Sequence, residues 1–260
     1  MSELEVSQDG AVLTVLFNRP EARNAMTFAM YEGLEEACAR ADADDSVRVL
    51  VLRGAGRAFV AGTDIAQFLE FGTGESTSGD DGIAYEARIE RVVNRLEDVT
   101  VPTVAAVDGA CVGGGLALAA ACDLRIATAS SRFGVPIART LGNCLSMNTY
   151  SLLVHHLGPG RTLDMLLRAK LLSAADAAGA GFVGEVVPDG ELDPALTSLI
   201  ETLLAHAPLS TKAAGQAVAR LRRATLPDGD DLVREVFGSE DFRAGVRAFV
   251  DRGRVSWTGR

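Results

Sequence analysis

Val107-Asp108-Gly109-Ala110-Cys111-Val112-Gly113-Gly114-Gly115-Leu116-Ala117-Leu118-Ala119-Ala120-Ala121-Cys122-Asp123 is the stretch from which the rest of the chain can be read. It passes from a short apolar strand through a turn at Asp108-Gly109 to three consecutive glycines, then into small helix-favouring residues that close at Asp123. Three glycines cost backbone entropy, which makes sense where a backbone must come very close to something. Because they open a helix, their N–H groups lack an intrahelical acceptor and lie at the positive end of its dipole. The stretch therefore reads as a site for developing negative charge.

Upstream, Thr103–Val107 supplies the strand, preceded by Pro102 and a helix over Ile83–Asp98. The Gly-, Ser-, Thr- and Asp-rich segment Gly72–Gly82 reads as a mobile loop, a candidate lid or pocket rim. Val47–Leu52 is a buried strand, and Gly54-Ala55-Gly56-Arg57-Ala58-Phe59 after it places Phe59 where a dinucleotide fingerprint needs its third glycine. Asp64, after Ala61-Gly62-Thr63, is expected to open a short helix through Phe71. At the start, Ser7-Gln8-Asp9-Gly10 reads as a hairpin turn before the strand Ala11–Phe17, and Thr27 as the cap of a helix to about Asp42.

Downstream, Leu124–Ala127 is a short strand and Arg132-Phe133-Gly134-Val135-Pro136 a turn or edge segment. A helix-rich region runs from about Leu145 to the end, interrupted by a strand over Phe182–Val187. The alternation of strands and helices places the chain in the α/β class. The boundary is expected near Pro188–Pro208, dividing residues 1–195 from a purely helical 196–260.

Apolar residues make up 48% and charged residues 23% of the 260, which fits a globular chain long enough to bury a sizeable core. A net charge of −10 argues against general nucleic-acid binding, which depends on clustered Lys and Arg. Cys38, Cys111, Cys122 and Cys144 show no C-x-x-C spacing and read as buried thiols of a cytoplasmic protein, without disulfides or zinc. Met1–Glu5 carries no basic stretch before an apolar one, and Ala110–Cys122 is too short to span a membrane, so neither secretion nor membrane insertion is expected.

Four pieces together resemble the crotonase superfamily, also called the enoyl-CoA hydratase/isomerase family: Asn18-Arg19-Pro20-Glu21-Ala22-Arg23-Asn24-Ala25, Gly56–Asp64, the triple glycine with Cys122-Asp123, and Arg132–Pro136. Agreement in order and spacing extends over nearly the whole chain, to Asp241–Phe249. The resemblance implies a spiral of strand–strand–helix turns over 1–195 and a C-terminal helical trimerisation region over 196–260, giving a homotrimer or dimer of trimers. It also implies an acyl-CoA substrate, with no separate cofactor or metal, whose thioester oxygen receives the backbone N–H groups of Thr63 and Gly114. Polarising that carbonyl acidifies the α-carbon and stabilises the enolate. Ala61, Asp64, Ile137 and Cys144 fall at matching positions around the substrate, and Arg23 falls near the CoA phosphates.

The resemblance breaks at the proton-transfer residues. Hydratases of the family carry one glutamate two positions after the triple glycine and another after Phe-Gly-x-Pro; this chain has Ala117 and Ile137 there. Hydration needs both a base for water and an acid for the α-carbon, so an efficient hydratase is not expected. A catalytically silent binder or assembly subunit, a decarboxylase and a hydrolase of the same fold stay open.

Arg139, Thr140, Asn143, Cys144 and Ser146 form a polar set where the family lines its acyl pocket. Arg139 reads as a carboxylate ligand or an ordinary ion pair, Asn143 as a helix cap or a catalytic amide, and Cys144 as an inert thiol or a nucleophile activated at a helix start. Asp64 reads as a cap or a base; Glu86 and Glu90, one turn apart, as a solvated helix face or recruited acid–base groups. Arg220, Arg222, Arg223, Arg247 and Arg252 read as a solvated face or further phosphate ligands. His155, His156 and His206 do not form a metal set, and Trp257 reads as a packing anchor.

Overall fold

The computed structural model describes residues 2–65 and 78–260. The chain opens with an antiparallel hairpin of β1 (Leu4–Asp9) and β2 (Val12–Phe17). The expected turn at Ser7–Gly10 moves to Gly10-Ala11, because pairing continues to Asp9 opposite Val12 and Gly10, at φ +54°, is where the strand turns back. Helix α1 (Phe28–Ala43) follows, its first turn held by Thr27, whose side chain accepts from Met30 N–H.

Three strand pairs then repeat one pattern: β3 (Val49–Gly54) with β4 (Ala58–Val60), β5 (Thr103–Val107) with β6 (Ala110–Val112), and β7 (Leu124–Thr128) with β8 (Arg132–Gly134). The first strand of each pair joins a six-stranded sheet, β1-β2-β3-β5-β7-β10, and the second a four-stranded sheet, β4-β6-β8-β9. Helices α2 (Gly79–Glu97), α3 (Gly114–Ala121), and α4 (Ile137–Thr140) with α5 (Met147–Leu167) succeed the pairs. The remaining strands are β9 (Leu172–Ser173) and β10 (Glu185–Val187), with α6 (Ala174–Gly179) between them. This is the expected α/β spiral. Strands β3 and β5 are buried on both faces, as parallel strands covered on two sides must be, and so read as unbroken apolar runs.

Two sequence expectations change here for packing reasons. Arg132–Gly134 is an interior strand of the small sheet, paired with both β6 and β9, and not an edge segment. The strand expected over Phe182–Val187 shrinks to Glu185–Val187; Phe182 turns inward, its ring edge-on to Phe133 at 5.6 Å.

Helix α2 begins at Gly79, four residues before expectation, with a reciprocal Ser78–Asp81 capping box. The glycines that suggested a loop serve a close helix contact: a Cβ at Gly82 would lie 2.3 Å from Phe237 on α9 (Asp230–Phe237). Positions 72–77 of the expected loop, and 66–71 of the expected helix after Asp64, fall outside the described residues.

Helix α3 is apolar all round and buried from Gly115 to Ala121, so it runs through the core. Its C-terminal carbonyls face a buried cation: Arg125 donates to the carbonyls of Ala119 and Cys122. The far end, opened by Gly113, is left for the pocket.

Helices α7 (Leu192–Leu204), α8 (Pro208–Arg223) and α10 (Glu240–Val250) complete the fold with α9. A boundary at residue 195 falls inside α7, whose Leu192 and Leu196 pack with Val49, Val51, Val104 and Ile126 of the large sheet. Trp257 closes over Gly142, where an added Cβ would lie 2.7 Å from its ring.

Candidate active site

The Asn18–Ala25 segment is a strap that positions one wall. Asn24, fully buried in a left-handed conformation at φ +57°, donates through Nδ2 to Ala55 O (2.9 Å) and Ala58 O (2.7 Å). Its Oδ1 accepts from Arg19 N–H at 2.9 Å. Arg19 in turn donates to Asp64 Oδ2 at 2.9 Å, while Ala61 N–H donates to Arg23 O at 3.1 Å. The strap thus holds Ala61–Asp64 along its length, and the Asp64 carboxylate is engaged by a guanidinium.

Thr63 sits in an isolated parallel bridge with Met26, in which Met26 N–H donates to Gly62 O and Asp64 N–H donates to Met26 O. In such a bridge the flanking residues make the bonds, so the N–H of Thr63 itself is turned away from Met26. Its hydroxyl is hydrogen-bonded by Tyr31 and Tyr85, each at 3.0 Å, and burial raises both phenols well above their ordinary pKa.

The triple glycine meets this wall. Gly113 takes φ +58° and a Cβ there would be 3.3 Å from Gly62 Cα. A Cβ on Gly114 would lie 2.5 Å from the Tyr31 hydroxyl of α1 and 3.4 Å from Thr63 Oγ1, so glycine here leaves room for the Tyr31–Thr63 hydrogen bond. Gly114 is the first residue of α3, so its N–H has no intrahelical acceptor.

Thr63 and Gly114 line one cavity of about 740 Å³, whose walls include Ala61, Asp64, Tyr85, Glu86, Ala117, Ile137 and Asn143. Arg23 lies on the cavity wall and is exposed, and α10 and its tail contribute Phe249, Val250 and Arg252 to the same wall. Ala117 and Ile137, the positions without glutamate, both face this space.

Glu86 is the residue the sequence undervalued. It is 7% exposed, not a solvated face, and its Oε2 accepts from Ser146 N–H at 2.9 Å. Burial pushes its carboxyl up to about 8, with Ser146 N–H opposing and Glu90 adding to the rise. Glu90, one turn on, is only half-buried. The signal was present in the spacing Gly82, Tyr85, Glu86, Ile89, Val92, Val93 and Leu96, which is one apolar helix face with a glutamate set in it.

Several other candidates are displaced. Arg139 is exposed and does not line the cavity, so it is not a carboxylate ligand there. Cys144 also lies off the cavity wall; its thiol faces Leu232 O, and burial pushes it up to about 12, which removes the nucleophile reading. Asn143 does not cap α5, because Ser146 does so by accepting from Thr149 N–H; among the described residues Asn143 Oδ1 is buried without a partner beside the cavity.

Two of the five basic residues are committed to structure: Arg222, buried and not solvated, pairs with Glu97 and Asn148, and Arg223 with Glu97 and Asp98. His156 Nε2 contacts Ala120 O at 2.9 Å, and its ring is pushed down to about 4 by burial. Among the described residues no helix is long and apolar enough to cross a membrane.

A two-sheet spiral whose core helix opens on the wall of a cavity shared with a second glycine loop defines an α/β protein with a preformed pocket. Residues 7–260 match the model of the family described as enoyl-CoA hydratase/isomerase, and the chain belongs to that family. A 2,3-dehydroadipyl-CoA hydratase of Escherichia coli K12 is 32% identical over 265 residues, covering 100% of both chains. Enoyl-CoA hydratase EchA19 of Mycobacterium tuberculosis is 31% identical, over 98% of this chain and 96% of the other. Among solved structures, an enoyl-CoA hydratase/carnithine racemase from Magnetospirillum magneticum superposes with a TM-score of 0.80 at 31% identity, covering 100% of this chain and 97% of that one. A methylmalonyl-CoA decarboxylase shares the fold, with a TM-score of 0.88 at 21% identity.

Proposed function

We propose that the protein acts on an acyl-CoA thioester by stabilising its enolate, with the thioester oxygen held by the N–H groups of Thr63 and Gly114. The observation that carries this reading is the convergence of two glycine-bearing loops, one opening a buried helix, on the wall of a single cavity. Two preorganised donors aimed at a developing oxyanion contribute on the order of 10²–10³ in rate each. The cavity is lined by Arg23 and Arg252, which suit the CoA phosphates, and the reaction needs no cofactor beyond the CoA that the substrate carries. The subunits assemble as a homotrimer or dimer of trimers, through the C-terminal region and its neighbours.

Ala117 and Ile137 line the pocket where hydratase glutamates would stand, and this favours a second reading in which the chain binds acyl-CoA without turning it over. A decarboxylase or hydrolase remains a further form of the first reading, although exposed Arg139 gives no support for a diacid thioester.

The test is incubation in D₂O with a panel of saturated, enoyl, β-keto and malonyl-type CoA thioesters, read by mass. Deuterium uptake at the α-carbon is the expected result. Gain of water with crotonyl-CoA should fall at least about 10² below an ordinary hydratase, since acid and base groups each contribute about 10²–10⁴. Binding without chemistry across the panel selects the silent reading, and loss of CO₂ or free CoA assigns the other two. Gly114→Pro in a Tyr31→Phe background, which removes one donor and the hydroxyl that would obstruct the ring, should abolish whatever turnover the Tyr31→Phe protein shows.

A further inference from the structure

We propose that Glu86 is the catalytic carboxyl group of this pocket, moving by itself the protons that hydratases of the family move with the pair absent at Ala117 and Ile137. The inference rests on the acyl-CoA reading above and adds to it the residue that moves the proton.

Position comes first. Glu86 stands on the wall of the same cavity as Thr63, Gly114 and Ala117, delivered there by α2, an element that carries neither glycine loop. A carboxylate buried for structural reasons is normally paired with a cation or enclosed by several donors. Among the described residues Glu86 has one hydrogen bond, from Ser146 N–H, and no cationic partner.

Among the described residues, the titratable groups whose charge it feels or influences are the phenols of Tyr31, Tyr85 and Tyr150, the Cys144 thiol and the Glu90 carboxylate, none of them cationic. A leucine there would fill the apolar stripe without the desolvation that a carboxyl suffers. Its affinity for a proton, with half-loading at about pH 8, is that of a group able to take a proton and give it back near neutrality.

Glu86 also lines a second cavity, of about 360 Å³. Glu90, Asp228 and Asp230 line that cavity too, so a polar space adjoins the part of α2 that carries Glu86. In the proposed mechanism this second cavity is the route by which the carboxyl exchanges its proton with solvent while substrate fills the first.

The chemistry this permits is definite. The Glu86 carboxylate takes a proton from the α-carbon; the C–H electron pair forms the enolate double bond, and the carbonyl π pair moves onto the thioester oxygen held at Thr63 and Gly114. The resulting acid returns a proton either to the α-carbon, which is exchange, or, with a β,γ-unsaturated acyl chain, to the γ-carbon, which moves the double bond into conjugation. Nothing is oxidised or reduced and no water is consumed. A β,γ-unsaturated acyl-CoA reports this transfer directly, and its product should carry solvent-derived hydrogen.

The experiment compares wild type, Glu86→Gln and Glu86→Asp in D₂O with a β,γ-hexenoyl-CoA, alongside binding of saturated hexanoyl-CoA and infrared spectroscopy of the carboxyl band. Wild type should yield deuterated conjugated product. Glu86→Gln should bind hexanoyl-CoA with similar affinity yet lose at least about 10² of the rate, and Glu86→Asp should recover part of it. A protonated-carboxyl band absent from Glu86→Gln should titrate near the value above and move when hexanoyl-CoA binds. Undiminished isomerisation in Glu86→Gln, or a band indifferent to bound hexanoyl-CoA, overturns the assignment to Glu86 while the acyl-CoA reading stands. Failure of wild type to bind hexanoyl-CoA overturns the acyl-CoA reading itself, and Glu86 with it.

Discussion

Glu86 makes a stability prediction separate from catalysis. Its folded pKa, about 8, exceeds the ordinary carboxylate value of 4.5, so between these pH values the folded state holds a proton that the unfolded state releases. That contribution is fully present below about pH 4.5 and is lost as pH rises through about 8, with a slope of at most about 1.4 kcal/mol per pH unit. His156 acts in the opposite sense between about 4 and 6.5, where the unfolded state binds the extra proton and stability rises with pH. The window from pH 6.5 to 8 is where the two separate. Urea unfolding of wild type should show stability falling with pH across it, and Glu86→Gln should flatten that fall.

At the scale of elements, the strap around Asn24 links β2 to the loop after β4. Asn24→Ala orphans the Ala55 and Ala58 carbonyls and puts a β-carbon residue at φ +57° without the amide that favours it. At about 1–3 kcal/mol for each orphaned buried group, the loss should be about 3 kcal/mol or more, measured by the urea midpoint. Acyl-CoA affinity should fall as well, because Ala61–Asp64 is hydrogen-bonded to the strap. Much of this element is legible in the sequence, where Asn18–Ala25 and Gly56–Asp64 stand out as separate motifs. That they are one device is not, because Asn24 acts through bonds to residues more than thirty positions away.

For the whole molecule, the outer faces of α5 and α8 leave large apolar side chains in water. Leu167, Leu209 and Leu221 are 75%, 78% and 77% exposed. Apolar surface of this kind is normally covered by association, which agrees with the proposed trimer. Light scattering should report three or six subunits, and Leu221→Glu should shift the population toward monomer without loss of secondary structure. Retention of the full assembly would place the interface elsewhere.

What the residues determined unaided is local in origin. Three glycines ahead of a run of alanines and leucines make a helix start with free N–H groups wherever it sits, and Ala117 and Ile137 deprive their positions of a carboxyl in any fold. Tertiary structure decided which charged residues face the pocket and in what state. Arg139 left the site and Cys144 became an inert buried thiol, while Glu86 entered it. The physical reason is that burial is contributed by other segments: Glu86 is desolvated by residues around Ser146 and by the packing of α9 against α2. A glutamate has no elevated proton affinity until those distant parts of the chain surround it.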